Sequence, residues 1–229
     1  MSFWSIILDL SKGFGVTLKL FALTLVIAIP LGLIFAFLSM SKFKPLSYFM
    51  KGLIWVIRGT PLLLQCIIVT FIPSVLFKIP NKDFAAMLHL DAIVDLQFIF
   101  VLFAFALNYA CYFAVIFEGG IKNIPKGQYE AGKVLGLTRG QIFRRIVLMQ
   151  VVRRITAPMS NEIITLVKDT ALARALGVIE VIMVAYDKVN EYVILTPLLY
   201  AGLFYLLFSG VLTILFHILE KKISYYQVT

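Results

Sequence analysis

Cysteine and histidine are almost missing from this chain, and charge of either sign is scarce. The two cysteines among its 229 residues, Cys66 and Cys111, sit in separate apolar runs, which excludes a disulfide framework and a zinc site. The two histidines, His89 and His217, are each alone, with no second ligand at metal spacing. A lipid-acting membrane enzyme would need a His, Asp or Ser constellation near one interface, and none is present. Charged residues make up 14% of the chain, against roughly a quarter in soluble domains, too little to coat a water-exposed globule. No basic n-region or small-residue cleavage site precedes the first apolar run, so no removable signal peptide is expected. No internal repeat is found.

What the chain does contain is apolar. It is 61% hydrophobic with a mean hydropathy of +0.97, the composition of an integral membrane protein. The net charge of +9 is not gathered on one face, as nucleic-acid binding would require, but in the loops between apolar runs. The pattern predicts an all-α membrane protein, one transmembrane domain over residues 1–229, with five spans at about 15–40, 53–77, 97–117, 151–167 and 193–219. Residues 1–12 read as a separate interfacial helix with Trp4 at headgroup depth. The expected inner segments hold thirteen Lys and Arg residues and the outer ones four, which places the N-terminus outside and the C-terminus inside. The loop from Lys78 to Leu96 and the short loop Asp187–Tyr192 are then external, and the former could meet a partner that brings substrate. An odd span count forbids a simple two-fold repeat within the chain, so a pseudo-symmetric pathway would need two chains.

Several spans carry polar residues that hydrocarbon would penalise. Arg58, Gly59, Thr60 and Pro61 interrupt the second span, and their charge and freed backbone groups must meet protein or water, in a structural or a gating role. On the third span Asn108 and Tyr112 share a face, and a buried Asn needs another helix or a substrate as partner. Glu162 lies eleven residues past Val151, roughly 16 Å into the bilayer. Glu162, Thr165 and Asp169 share one helical face, and Asn161, Thr165 and Lys168 the neighbouring one. Two readings stand: a substrate pathway, or pairing of Glu162 with Lys168 or Arg174, in this chain or a partner subunit.

Residues 122–148 form the one long polar and basic segment. Pro125 fits a helix start, Gly136 a left-handed stop, and Thr138 with Gln141 a capping box, which together predict helix, turn, helix. Small Ala131 and Gly132 would let another protein's backbone approach closely, and Glu130 could pair with a base there. Ile142, Phe143 and Ile146 give the second helix an apolar face for its own bundle. An amphipathic loop on lipid headgroups would have a similar composition. Gly127–Lys133 nearly spells a P-loop, but Val134 stands where a Ser or Thr must ligate magnesium, so ATP binding here is rejected.

The spacing of Glu130-Ala131-Gly132, Gly136, Ile146 and Leu148 resembles the EAA loop of permease subunits of ATP-binding-cassette importers. Gly13, Thr17 and Gly32, the run RGTPLLLQ from Arg58, Ser160-Asn161-Glu162 and the run KDTALA from Lys168 resemble the polar amino acid branch of that family, in the right order. The resemblance implies the type I importer fold in a bacterial-type cytoplasmic membrane. It further implies a second permease subunit, the same or related, an ATPase dimer carrying ATP and Mg, an extracytoplasmic binding protein and an amino acid substrate. No cofactor and no covalent chemistry are expected in this chain. The implied ATPase contact comprises Gln128, Glu130, Ala131, Gly132 and Gly136 on a coupling helix. The implied pathway residues are Asn108, Tyr112, Asn161, Glu162 and Thr165, with Lys168 and Asp169 structural or gating. Gly132 replaces the usual second Ala and Met149 the usual Pro, while Val115 and Glu118 depart from the pattern of the third span. A self-sufficient secondary transporter or channel is the alternative, and it would need its coupling-ion site within the chain.

Overall fold

The computed structural model describes residues 3–78, 80, 83, 86 and 96–224, and these contain helices but no strand. The helices are α1 (Phe3–Ser39), α2 (Lys44–Gly59), α3 (Leu62–Leu76), α4 (Leu96–Lys122), α5 (Lys126–Val134), α6 (Arg139–Ile142), α7 (Leu148–Asp169), α8 (Val181–Tyr192) and α9 (Thr196–Ser224). A π turn, Phe143–Val147, joins α6 to α7, and a 3₁₀ segment, Thr170–Leu176, extends α7.

Helix α4 is the hub, packed against α1, α2, α3 and α7. Val101, Phe105, Tyr109, Ala110, Cys111, Phe113 and Ala114 along it are buried. Its closest neighbour is α1, whose buried positions Thr24, Ala28, Gly32 and Ala36 recur every four residues and are all small. Such a stripe lets two backbones approach closely and gain dispersion contacts along their length. A methyl group on Gly32 would stand 2.8 Å from Phe113 Cβ and 2.9 Å from the Ala110 carbonyl oxygen. Helix α9 lies at the edge, its Leu199, Leu206, Leu207 and Ile214 exposed as lipid-facing side chains would be.

Three expectations about local structure are corrected. Residues 3–12 are not a separate interfacial helix but the first turns of α1, because Gly13 and Gly15 do not break a helix whose Gly13 packs on α8. The second span is interrupted as expected, but its first helix, α2, begins at Lys44 rather than near residue 53, and α2 and α3 meet at a bend of 108°. Pro61 lacks the N–H a continuous helix needs, and Thr60 before it is extended. Asp187–Tyr192 is no loop but the second half of α8, which ends at Val193 in the left-handed region. The expected outer loop, with His89, Asp91 and Asp95, lies almost wholly outside the described residues.

Among the described residues, α1, α4 and α9 are long and apolar enough to cross a membrane, and the bent α2–α3 pair is a fourth if it counts as one. Helix α7 falls where the fourth span was expected but carries Arg153, Arg154, Glu162, Lys168 and Asp169.

Candidate functional site: a polar seam among apolar helices

The break between α2 and α3 leaves backbone carbonyls without helical donors. Gln65 repairs it: its Nε2 donates to the carbonyls of Ile57 (2.7 Å) and Thr60 (3.1 Å) and to Thr60 Oγ1 (2.8 Å). Asn108 on α4 completes the knot by donating from Nδ2 to Gln65 Oε1 at 3.0 Å. The buried Asn therefore has its partner in another helix, and the pair pins the break to the hub. Gln65 stood inside the RGTPLLLQ run, yet no periodicity marks it as the clamp.

Around this knot the structure gathers much of the expected site. Arg58, at the end of α2, lies over the Tyr112 ring at 4.9 Å, a cation–π contact that keeps the guanidinium against protein. Tyr109 donates its hydroxyl to Asp169 Oδ2 at 2.7 Å, and its ring lies 6.3 Å from that of Tyr112. Glu162 is half-buried, within electrostatic reach of Arg58 and Asp169. It makes no ion pair among the described residues, and Arg174 is instead stacked 3.6 Å from the Tyr186 ring. Pairing of Glu162 with Lys168 or Arg174 is therefore not found within the chain.

Helix α7 has two unlike sides. Thr156, Ser160, Ile163, Leu166 and Val167 are buried, and Ser160 Oγ donates to Glu220 Oε1 on α9 at 2.8 Å. Asn161, Thr165 and Lys168 are exposed on the other side, where Thr165 Oγ1 donates to the Asn161 carbonyl at 2.9 Å. Tyr109 and Gln65 thus join the expected residues, while Asn161, Thr165 and Lys168 stay apart from the Gln65–Asn108 knot.

Sequence reasoning missed Glu180. It is fully buried and caps α8, accepting from the Ile182 and Met183 N–H groups at 2.9 and 2.8 Å, and it accepts from the Tyr205 hydroxyl at 3.1 Å. The signal was a single acid in the apolar run GVIEVIM directly after Gly177, whose φ of +80° ends the preceding helix. Beside it, at the ends of α1 and α8, a cavity of about 420 Å³ includes Asp9, Lys188 and Glu191 in its lining. Lys188 bonds Glu191 at 3.1 Å and Asp9 at 3.2 Å. The bonds to Glu191 and then Asp9 hold the Lys188 ammonium above its ordinary pKa. The bonds from Tyr192 and then Lys188 hold the Glu191 carboxyl below its own.

The polar segment takes the expected helix–turn–helix form. Pro125 caps α5, and α5 closes in a Schellman motif, with Gly136 at φ +72° and N–H groups of Gly136 and Leu137 donating to Lys133 and Gly132 carbonyls at 2.9 and 3.0 Å. Thr138 and Gln141 make the reciprocal capping box. Gly132 is buried beneath Ile142, where a methyl group would stand 2.7 Å from Ile142 Cγ1, so its smallness serves the packing of the two helices. Glu130 and Ala131 are exposed, and the half-buried Gln128 accepts from Gln150 Nε2 at 3.0 Å. Phe143 departs from expectation: Ile142 and Ile146 face inward, but Phe143 is 45% exposed. The Glu118 turn does make an ion pair, with Lys122, and it also accepts from Ser39.

Helices long and apolar enough to cross a membrane, with a polar seam set among them, make the frame of a membrane component. The family model of the binding-protein-dependent transport system inner membrane component matches residues 28–225, and the chain belongs to that family. It is 33% identical to the arginine transport system permease protein ArtQ of Bacillus subtilis, covering 93% of this chain and 91% of that one. It is 34% identical to the L-cystine transport system permease protein TcyB of the same organism, covering 98% and 89%. Among solved structures it matches an amino acid ABC transporter crystallised with histidines, at a TM-score of 0.78 and 25% identity over 97% of this chain and 99% of that one. The MetNI methionine transporter shares the fold, at a TM-score of 0.66 and 17% identity.

Proposed function

We propose that the chain is the transmembrane subunit of an ATP-driven amino acid importer in a bacterial cytoplasmic membrane, forming half of the substrate pathway and coupled to separate ATPase chains. The observation that carries this reading is the polar side of α7. Asn161, Thr165 and Lys168 are exposed along a helix whose other side packs into the bundle. Polar side chains at bilayer depth are costly against lipid and belong against water, protein or substrate. A second permease subunit facing this side would close an aqueous path lined by Asn161, Glu162, Thr165 and Tyr112. Arg58 and Asp169 flank it, and Asn108 supports it through Gln65. Glu162, with no ion-pair partner among the described residues, is the group to receive the ammonium or a cationic side chain of the substrate.

In this reading α1, the bent α2–α3 pair, α4, α7 and α9 make five crossings, with the N-terminus outside and the C-terminus inside. The 122–148 segment is cytoplasmic, and α5 is the coupling helix. Its exposed Glu130 and Ala131, with Gln128 and Gly136, meet the ATPase dimer, which carries ATP and Mg. Gly132 contributes by letting α5 and α6 close up. An extracytoplasmic binding protein delivers substrate at the opposite end. Closure of the ATPases moves α5, and the continuous run from α6 through the π turn into α7 carries that motion to Glu162. No covalent step occurs in the chain. Family membership favours this reading over a self-sufficient secondary transporter.

The test is Glu162→Gln in the assembled complex. The expected result is intact co-purification of the ATPase with substrate affinity or selectivity changed. Loss of assembly with unchanged selectivity in the residual complex would instead make Glu162 a structural partner.

A further inference from the structure

Four arginines line one concavity of about 800 Å³ where the π turn runs into α7: Arg144 and Arg145 from the turn, Arg153 and Arg154 from the helix, with Ile146 and Met149 between them. In a straight α-helix, at about 100° per residue, positions nine apart point to opposite sides. The wider π turn at Phe143–Val147 shifts that phase, so both arginine pairs border the same space. Arg144, Arg145 and Arg154 are exposed and in no ion pair among the described residues. No acidic residue lines the concavity among the described residues. Met149 in the lining exposes 52% of its surface, and Phe143 and Leu148, next in the chain to lining residues, expose 45 and 42%.

We infer that this concavity binds the phosphate of an anionic phospholipid of the inner leaflet, with the acyl chains against Met149 and Leu148. Clustered guanidinium groups repel one another unless an anion lies among them, and their planar forks match phosphate oxygens two at a time. An apolar rim beside a basic hollow suits a headgroup joined to a chain better than a free anion, and basic hollows on the inner side of membrane helices are where such headgroups are held. The inference goes beyond the transport reading and borrows only its orientation. Because the arginines lie on the route from α5 to α7, a bound lipid would brace that route.

The test uses the complete complex of permease and ATPase chains in nanodiscs of phosphatidylcholine containing a minor fraction of phosphatidylglycerol, with retained lipid read by native mass spectrometry. The wild type should retain phosphatidylglycerol, and an excess of inorganic phosphate over the lipid should not displace it. Arg144→Gln with Arg145→Gln should lower retention on the order of thirtyfold, from about 1 kcal/mol per removed charge. Arg153→Lys with Arg154→Lys, which keeps the charge but not the fork, should lose a smaller part. Equal retention in wild type and the glutamine variant overturns the inference, as does displacement by phosphate, which would make it a free-anion site. Loss of the ATPase from the glutamine variant while lipid retention persists would assign the arginines to an acidic protein surface and also overturn it. If the glutamine variant fails to assemble, the wild-type retention and the lysine variant decide by the same criteria. A failed transport assay with intact retention leaves this inference standing, so the two readings fail separately.

Discussion

Gly32 sets the distance between α1 and the hub. Replacing it by Ala puts a methyl carbon 2.8 Å from Phe113 Cβ and 2.9 Å from the Ala110 carbonyl oxygen, where ordinary contact begins near 3.4 Å. The Ala110 oxygen is backbone and Phe113 Cβ is the root of a buried side chain, so neither can swing away. The helices must part by roughly 0.6 Å, and overpacking of this kind costs about 1–3 kcal/mol. The same substitution raises helix propensity by about 1 kcal/mol, which partly hides the cost. Gly15 on the same helix has nothing within 4 Å of its would-be methyl, so Gly15→Ala carries the propensity gain without the clash. The difference between the two variants isolates the close approach. Thermal unfolding of the purified complex in lipid should place Gly32→Ala about 2–12 °C below Gly15→Ala, taking about 2–4 °C per kcal/mol for a chain of this size. Equal melting temperatures would refute the claim that the small-residue stripe governs this seam.

Gln65→Leu removes the donor to Ile57 and Thr60 and strands Asn108. It should destabilise the complex by about 2–4 kcal/mol, read by thermal unfolding, and Gln65→Glu should not rescue it, because a carboxylate cannot donate to those carbonyls. Glu180→Ala should cost about 2 kcal/mol or more by stripping the α8 cap and the Tyr205 partner, while Glu180→Gln, which keeps one acceptor oxygen, should cost about half as much by the same measurement. The Lys188 pKa is raised from its ordinary 10.5, so its contribution is present below that value and lost as pH rises through the raised one. The Glu191 pKa is lowered from 4.5, so its contribution is present above that value and lost as pH falls through the lowered one. Hydrogen exchange in α8 should therefore be flat between about pH 5 and 10, after correction for intrinsic rates, and rise outside that window, with a small amplitude because water reaches the carboxylates of both pairs.

Local chemistry makes the 122–148 segment legible in the sequence. Pro125, Gly136, Thr138 and Gln141 act within a few residues of themselves, so their spacing alone predicts two caps and a turn, and the structure has both. The break at Gly59–Pro61 was legible as an interruption for the same reason, but its 108° bend was not, because the angle depends on Gln65 reaching Asn108 forty-three positions away. Tyr109 stands next to Asn108 in the third span, yet its partner Asp169 lies on another helix. Glu180 was missed because an acid inside an apolar run gives no periodic signal, and only the packed ends of α8 and α9 show it capping one and bonding the other. The opening turns of α1 misled because amphipathic and apolar stretches can share one helix when the glycines between them are packed.

The central claim is that α5 couples ATP hydrolysis in partner chains to amino acid passage along α7. The most direct measurement is ATP-driven uptake by the complex reconstituted in liposomes, with a panel of labelled amino acids, with and without the cognate binding protein, in wild type and Glu130→Lys. The expected result is uptake of one amino acid or a small related set, dependent on ATP and the binding protein, and abolished in Glu130→Lys although the variant still inserts and purifies. Wild-type rates in Glu130→Lys, or uptake that persists without ATP, would contradict the claim.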